Sequence, residues 1–140
     1  MAQLKGSCLC GKVTYTCAAE PVATAACHCA DCQKQTGTAF SIIVAVPREE
    51  LRIEGDSLAS FTTVGTDSGK EVSRQFCREC GSPIVSLPDG MPALAFIKAG
   101  TLDDRSWLEP PQIHAWCHSA QPWIDLESYE ASKFPRGVPA

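Results

Sequence analysis

Seven of the nine cysteines fall in three tight clusters, and closely spaced thiols are the ligand set of a soft metal ion. Cys8-Leu9-Cys10-Gly11 and Cys77-Arg78-Glu79-Cys80-Gly81 offer four sulfurs in two knuckle-like turns. In each, a glycine after the second cysteine permits the positive φ that aims both sulfurs at one point. Cys27-His28-Cys29-Ala30-Asp31-Cys32 offers three more. Four protein ligands close a zinc site into a staple, whereas three leave a position open to water or substrate. The pattern therefore predicts two zinc ions per chain. One is structural, on Cys8, Cys10, Cys77 and Cys80. The other is open, on Cys27, Cys29 and Cys32, and its missing fourth ligand is where function is expected.

In an extended chain Cys27 and Cys29 point one way and His28 the other, so His28 reads as a packing residue rather than a ligand. A turn after Cys29 would return Cys32 to the same point. The fourth position is left to water, a substrate thiol or a distant residue, with Cys117, Cys17, His114 and His118 available. Cys17 sits in an alternating strand and reads as core. Three thiolates over-neutralise a divalent zinc, making it a poor generator of hydroxide but a good captor of a fourth thiolate, which it holds deprotonated. The chemistry expected from these residues is capture of a small thiol and its addition to an aldehyde, or the reverse.

The elements that must position these sulfurs read as short strands. Lys12 to Cys17 alternates, with Val13, Tyr15 and Cys17 on one face. Val22 to Ala26, Ala39 to Val46, Leu58 to Val64, Glu71 to Phe76, Ile84 to Leu87, Leu94 to Ala99 and Ile113 to Cys117 follow. Turn signals at Gly55-Asp56, Gly65 to Gly69, Pro88-Asp89-Gly90 and Pro110-Pro111 separate them. Helical pattern is confined to Ala30 to Gln35 ending at Gly37, to Arg48 to Leu51, and to a short terminal helix at Leu126 to Lys133. His114, Trp116 and His118 alternate, which suggests one face of a half-exposed edge strand. The expected fold is mainly β, a small antiparallel zinc fold with short helical turns, in one domain over 1–140.

Composition bounds the rest. A net charge of -4 argues against a nucleic-acid partner, which needs a basic face, and thiolate ligands would outweigh two zinc ions and deepen the acidity. No apolar run is long enough to cross a bilayer, and the amino-terminal residues lack a signal-peptide pattern. A reducing cytoplasm is expected, where clustered thiols bind metal rather than pair as disulfides. Oligomeric state is not legible.

The run Gly6-Ser7-Cys8-Leu9-Cys10-Gly11-Lys12-Val13-Thr14-Tyr15 and the run Cys27-His28-Cys29-Ala30-Asp31-Cys32-Gln33-Lys34-Gln35-Thr36-Gly37 resemble the glutathione-dependent formaldehyde-activating enzyme family, which is related to centromere protein V. The likeness continues through Phe76-Cys77-Arg78-Glu79-Cys80-Gly81-Ser82-Pro83, Ala99-Gly100-Thr101-Leu102-Asp103-Asp104 and Ile113-His114-Ala115-Trp116. The resemblance implies a β-tent fold with a structural zinc on Cys8, Cys10, Cys77 and Cys80. It implies a catalytic zinc on Cys27, Cys29 and Cys32 that receives the glutathione sulfur. The implied activity is that of a carbon–sulfur lyase joining glutathione and formaldehyde into S-hydroxymethylglutathione. A carboxylate-bearing thiol would need basic groups, and Lys34, Arg74, Arg78 and Lys98 are nearest in sequence. Two other classes compete. A binding module would close the second site with Cys117 or a histidine and expose a patch around Trp107, Trp116 and Trp123. A redox sensor would release zinc on oxidation.

Overall fold

The computed structural model describes residues 3–66 and 68–138. Asp67, inside the turn expected at Gly65 to Gly69, and residues 1, 2, 139 and 140 lie outside the described residues. The chain is mostly β and forms two sheets. Strand β1 (Leu4–Ser7) pairs antiparallel with β2 (Thr14–Cys17), and β2 pairs antiparallel with β5 (Leu51–Glu54). The larger sheet comprises β3 (Ala23–Cys27), β4 (Ser41–Pro47), β6 (Leu58–Val64), β7 (Glu71–Cys77), β8 (Pro83–Pro88), β9 (Leu94–Lys98), β10 (Ile113–Ala115) and β11 (Ser132–Lys133). Its order is β11-β10-β3-β4-β9-β8-β7-β6.

One hydrophobic core joins the two sheets. The alternation in β2 buries Tyr15 and Cys17, and Val13 just ahead of it is also buried, as their spacing predicts. They pack with Val44 and Val46 of β4, Val85 of β8, and Ala95 and Ile97 of β9. Fully burying such a side chain contributes about 1.5–3 kcal/mol. Strand β4 is buried on both faces, which explains its unbroken apolar run: Val44 and Val46 face the core, and its other face lies under the only α-helix among the described residues, α1 (Ala30–Thr36). That helix ends where Gly37 turns left-handed at φ 68.

The pairing is mainly antiparallel, as expected, with β10 running parallel to both β3 and β11. Three expectations need correction. Strand β10 is not an edge: β11 covers it, and His114 is buried. The alternation of His114, Trp116 and His118 breaks at Trp116, whose φ of 57 turns the chain into a short 3-10 segment at Cys117–Ser119. The terminal helix is reduced to a 3-10 turn at Leu126–Ser128, capped by the Asp125 carboxylate. Beyond it the backbone pairs with β10 as β11, since the Ser132 N–H reaches the Gln112 carbonyl and the Phe134 N–H that of His114. Over Leu126 to Lys133 only Leu126 and Tyr129 fall at helical spacing, too short a stripe to hold a helix, and Ser132–Lys133 pair as a strand instead. Strands β1 and β5 carry too short a pattern to stand out in the sequence.

Candidate metal centres

The sulfurs of Cys8, Cys10, Cys77 and Cys80 lie within 4.8 Å of one another. Cys8 and Cys10 occupy the β1–β2 turn, while Cys77 ends β7 and Cys80 sits in the turn to β8. The Sγ atoms of Cys8 and Cys10 are 3.5 Å apart and those of Cys10 and Cys77 3.7 Å. Sulfurs bound tetrahedrally to zinc lie about 3.8 Å from each other, so the spacing fits that ion. Both turns close alike. The Gly11 N–H bonds to the Cys8 carbonyl and the Gly81 N–H to that of Cys77, with φ of 81 and 79 at the glycines. Ser82 ties the turns together, accepting from the Leu9 N–H at 3.0 Å while its hydroxyl lies 3.2 Å from Cys80 Sγ. Hydrogen bonds from the Ser82 hydroxyl and backbone bring the Cys80 thiol down to about 5, favouring the thiolate a metal needs.

The second group is Cys27, Cys29 and Cys32, whose sulfurs also lie within 4.8 Å of one another. Strand β3 delivers Cys27, the helix cap delivers Cys29 and the first turn of α1 delivers Cys32. Cys29 Sγ itself caps the helix, accepting from the Cys32 N–H at 3.3 Å. Among the described residues no fourth cysteine, histidine, aspartate or glutamate joins this group. Cys17 is core, and Cys117 Sγ turns to the His114 carbonyl at 3.5 Å. His118 is exposed and lies 2.7 Å from the Pro135 carbonyl. His28 points away from the sulfurs, as its place between Cys27 and Cys29 predicts, and its Nε2 meets His114 Nδ1 at 2.9 Å. The two rings are buried between Phe40 and Tyr129.

Strand register builds the floor beneath the three sulfurs. Directly paired residues share a face. Arg74 pairs with Ser86, Ser86 with Phe96, and Phe96 with Ala45. Along the same faces, Lys98 pairs with Ile43, and Cys27 with Ser41. This face of the large sheet, opposite Val44 and Ile97, therefore carries Arg74 and Lys98 along with Cys27. Both cations are buried. Arg74 Nη1 donates to Cys32 Sγ at 3.8 Å and to Gln35 Oε1 at 3.1 Å, and its Nε donates to Thr63 Oγ1 at 3.0 Å. Lys98 Nζ donates to Ser41 Oγ at 2.9 Å. Hydrogen bonds from Cys27 and Cys29, and then the charges of Lys98 and Arg74, hold Cys32 well below the usual thiol range against the opposing effect of burial. Burial pushes the Lys98 ammonium down, and the Cys32 sulfur opposes that.

Of the four basic residues near in sequence, Arg74 touches the triad at Cys32 and Lys98 shares its sheet face through Ser41, the residue paired with Cys27. Arg78 instead donates to the Asp56 carbonyl near the first sulfur cluster, and Lys34 is exposed on α1. Lys34, Gln35, Phe61, Thr63, Arg74 and Phe76 line a groove of about 470 Å³ between α1 and the β6–β7 hairpin. The Asp31 carboxylate fixes that geometry by accepting from the Thr66 N–H and hydroxyl at 2.7 and 2.8 Å. The tryptophans do not form one patch: Trp107 packs on the core, Trp116 is half-buried, and Trp123 alone is largely exposed.

Comparison with known proteins gives the family and the fold. A family model described as glutathione-dependent formaldehyde-activating enzyme matches residues 3–119. A protein of Aspergillus terreus whose name carries the same designation is 33% identical over 104 residues, covering 71% of this chain and 52% of the relative. One of Aspergillus flavus is 30% identical over 110 residues, covering 74% and 55%. The chain thus spans about half the length of the curated relatives it matches. A solved structure of a Rhodobacter sphaeroides protein aligns with a TM-score of 0.56 at 16% identity over 93% of this chain and 98% of that one, a likeness of fold. With the matched region running through both sulfur clusters and all but the last strand, the chain belongs to the glutathione-dependent formaldehyde-activating enzyme family.

Proposed function

We propose that the chain is a single zinc-binding domain that activates glutathione, or a similar small thiol, for addition to formaldehyde or another small aldehyde. Cys8, Cys10, Cys77 and Cys80 would hold a structural zinc, and Cys27, Cys29 and Cys32 a catalytic one. The observation that carries this reading is the convergence of three sulfurs with no fourth protein ligand beside them among the described residues. Zinc bound there supplies a lowered thiol pKa, so that the entering sulfur is a thiolate at neutral pH. The protein's own part is placement. The α1 cap fixes Cys29 and Cys32 in one rigid turn, β3 fixes Cys27, and Arg74 and Lys98 keep positive charge beside the triad. In the reaction a carbon–sulfur bond forms as the carbonyl π pair moves to oxygen, which takes up the proton given up by the thiol. This is carbon–sulfur lyase chemistry in its synthetic direction, suited to a reducing cytoplasm.

The binding-module reading predicts a closed second site and a tryptophan patch, and neither is found among the described residues. Calorimetric titration of glutathione into protein verified to hold two zinc ions tests the proposal, with S-methylglutathione as the control ligand. Binding that requires the free sulfur supports it. Equal binding of both ligands, or of neither, would sink it.

A further inference from the structure

The two cations beside the sulfur triad lack the partners that buried cations ordinarily have. Lys98 and Arg74 are each 5% exposed. Among the described residues no carboxylate pairs with either: Arg74 is held by Thr63 and Gln35, and Lys98 by the Ser41 hydroxyl, all neutral. A buried charge left unpaired is costly, so two of them on one sheet face call for a compensating anion. The anionic groups on that face are the sulfurs. Arg74 touches Cys32 Sγ, and Lys98 is bonded to Ser41, the residue paired directly with Cys27. The Ser86 hydroxyl, on the same face, is buried and also without a partner.

Charge balance then discriminates between possible fourth ligands. Three thiolates around a divalent ion leave one negative charge, which one cation neutralises. A neutral fourth ligand, such as water or imidazole, would leave the second cation uncompensated. An anionic fourth ligand brings the centre to two negative charges, matched by Lys98 and Arg74. We propose that Lys98 and Arg74 make the open position on Cys27, Cys29 and Cys32 selective for an anionic ligand of the thiolate class over a neutral one. This rests on the metal assignment above and adds what decides the ligand. The two residues act through the field at the site, so they are specificity determinants and not metal ligands. Gln35 and Thr63 hold the guanidinium in place, and Ser41 does so for the ammonium.

The test uses protein loaded with two Co²⁺ ions, in which uptake of a thiolate is read from sulfur-to-cobalt charge-transfer absorption. Glutathione, 2-mercaptoethanol and imidazole are titrated separately at one pH into the wild type, Lys98→Met and Arg74→Gln. Removing either cation is expected to weaken both thiols by at least about tenfold, as loss of a unit charge at close range in a poorly solvated site implies, while leaving imidazole unchanged or tighter. Arg74→Lys, which keeps the charge, is expected to recover most of the thiol affinity. Equal thiol affinity in the variants and the wild type overturns the inference while leaving the proposed function standing. Weakening confined to glutathione also overturns it, because the cations would then be reading the carboxylates of the ligand and not its sulfur. Should Lys98→Met fail to fold, Arg74→Gln on the groove wall decides the matter alone. A wild type that takes up neither thiol with both metal ions in place removes the proposed function and this inference together.

Discussion

Cys29 has two roles that a single substitution separates. Its sulfur points toward Cys27 and Cys32, and the same atom caps α1. Serine is among the better helix caps but a poor soft-metal ligand. Cys29→Ser is therefore expected to keep the fold, as judged by circular dichroism, to bind one zinc in place of two by elemental analysis, and to lose glutathione binding. Global unfolding of this variant would show that the triad, and not the four-sulfur cluster, is the staple. Cys77 is the opposite case, fully buried where β7 ends. Cys77→Ser is expected to lose metal and fold together, since a structural zinc site contributes about 10–16 kcal/mol, comparable with the stability of a whole domain. Gly81 offers a finer probe. Its φ is 79 and a Cβ there would meet nothing within 4 Å, so Gly81→Ala should cost only the left-handed conformational penalty of about 1–2 kcal/mol in chemical denaturation.

At the scale of elements, the parallel pairing of β3 with β10 brings His28 and His114 together, a contact no local pattern announces. Burial lowers the affinity of both rings for a proton. The folded chain therefore binds fewer protons here than the unfolded one, so stability rises with pH across the window between the folded and unfolded values. The contribution is complete above the unfolded histidine value of about 6.5 and is lost as the pH falls below it. In urea denaturation at saturating zinc, the wild type is expected to weaken below about pH 6.5, and His114→Gln, which cannot charge, to weaken less steeply. Parallel pH curves would remove the histidine pair as the cause. The same pairing explains why the strand expected over Ile113 to Cys117 stops at Ala115: the chain must turn at Trp116 for residues 132–134 to return alongside β10.

For the whole molecule, the four-sulfur cluster joins two turns that belong to different sheets. Cys8 and Cys10 come from the three-stranded sheet, and Cys77 and Cys80 from the eight-stranded one. A metal there links the two layers across their shared core, while the triad lies on the far face of one sheet. Stepwise removal of zinc with a competing chelator should therefore proceed in two stages. The first ion leaves with little change in tryptophan fluorescence, and loss of the second coincides with cooperative unfolding. Unfolding at the first stage would reverse the roles assigned to the two centres.

Much of this was legible in the chain itself, because the information was local. The cysteine spacings predict both knuckles, Gly11 and Gly81 predict their positive φ, period-two alternation predicts β2, the unbroken apolar run predicts β4, and strand-forming runs between turn signals predict β6 and β7. The direction of His28 follows from its place between two cysteines on an extended chain. The joining of Cys8 and Cys10 to Cys77 and Cys80 was expected from the two matching half-sites, whereas the choice of Arg74 and Lys98 over Arg78 and Lys34 required the fold. A side chain's position across a sheet depends on the register of strands distant in sequence. A shift of one residue in β7 or β9 would turn Arg74 or Lys98 to the opposite face, and local residue pattern does not fix that register.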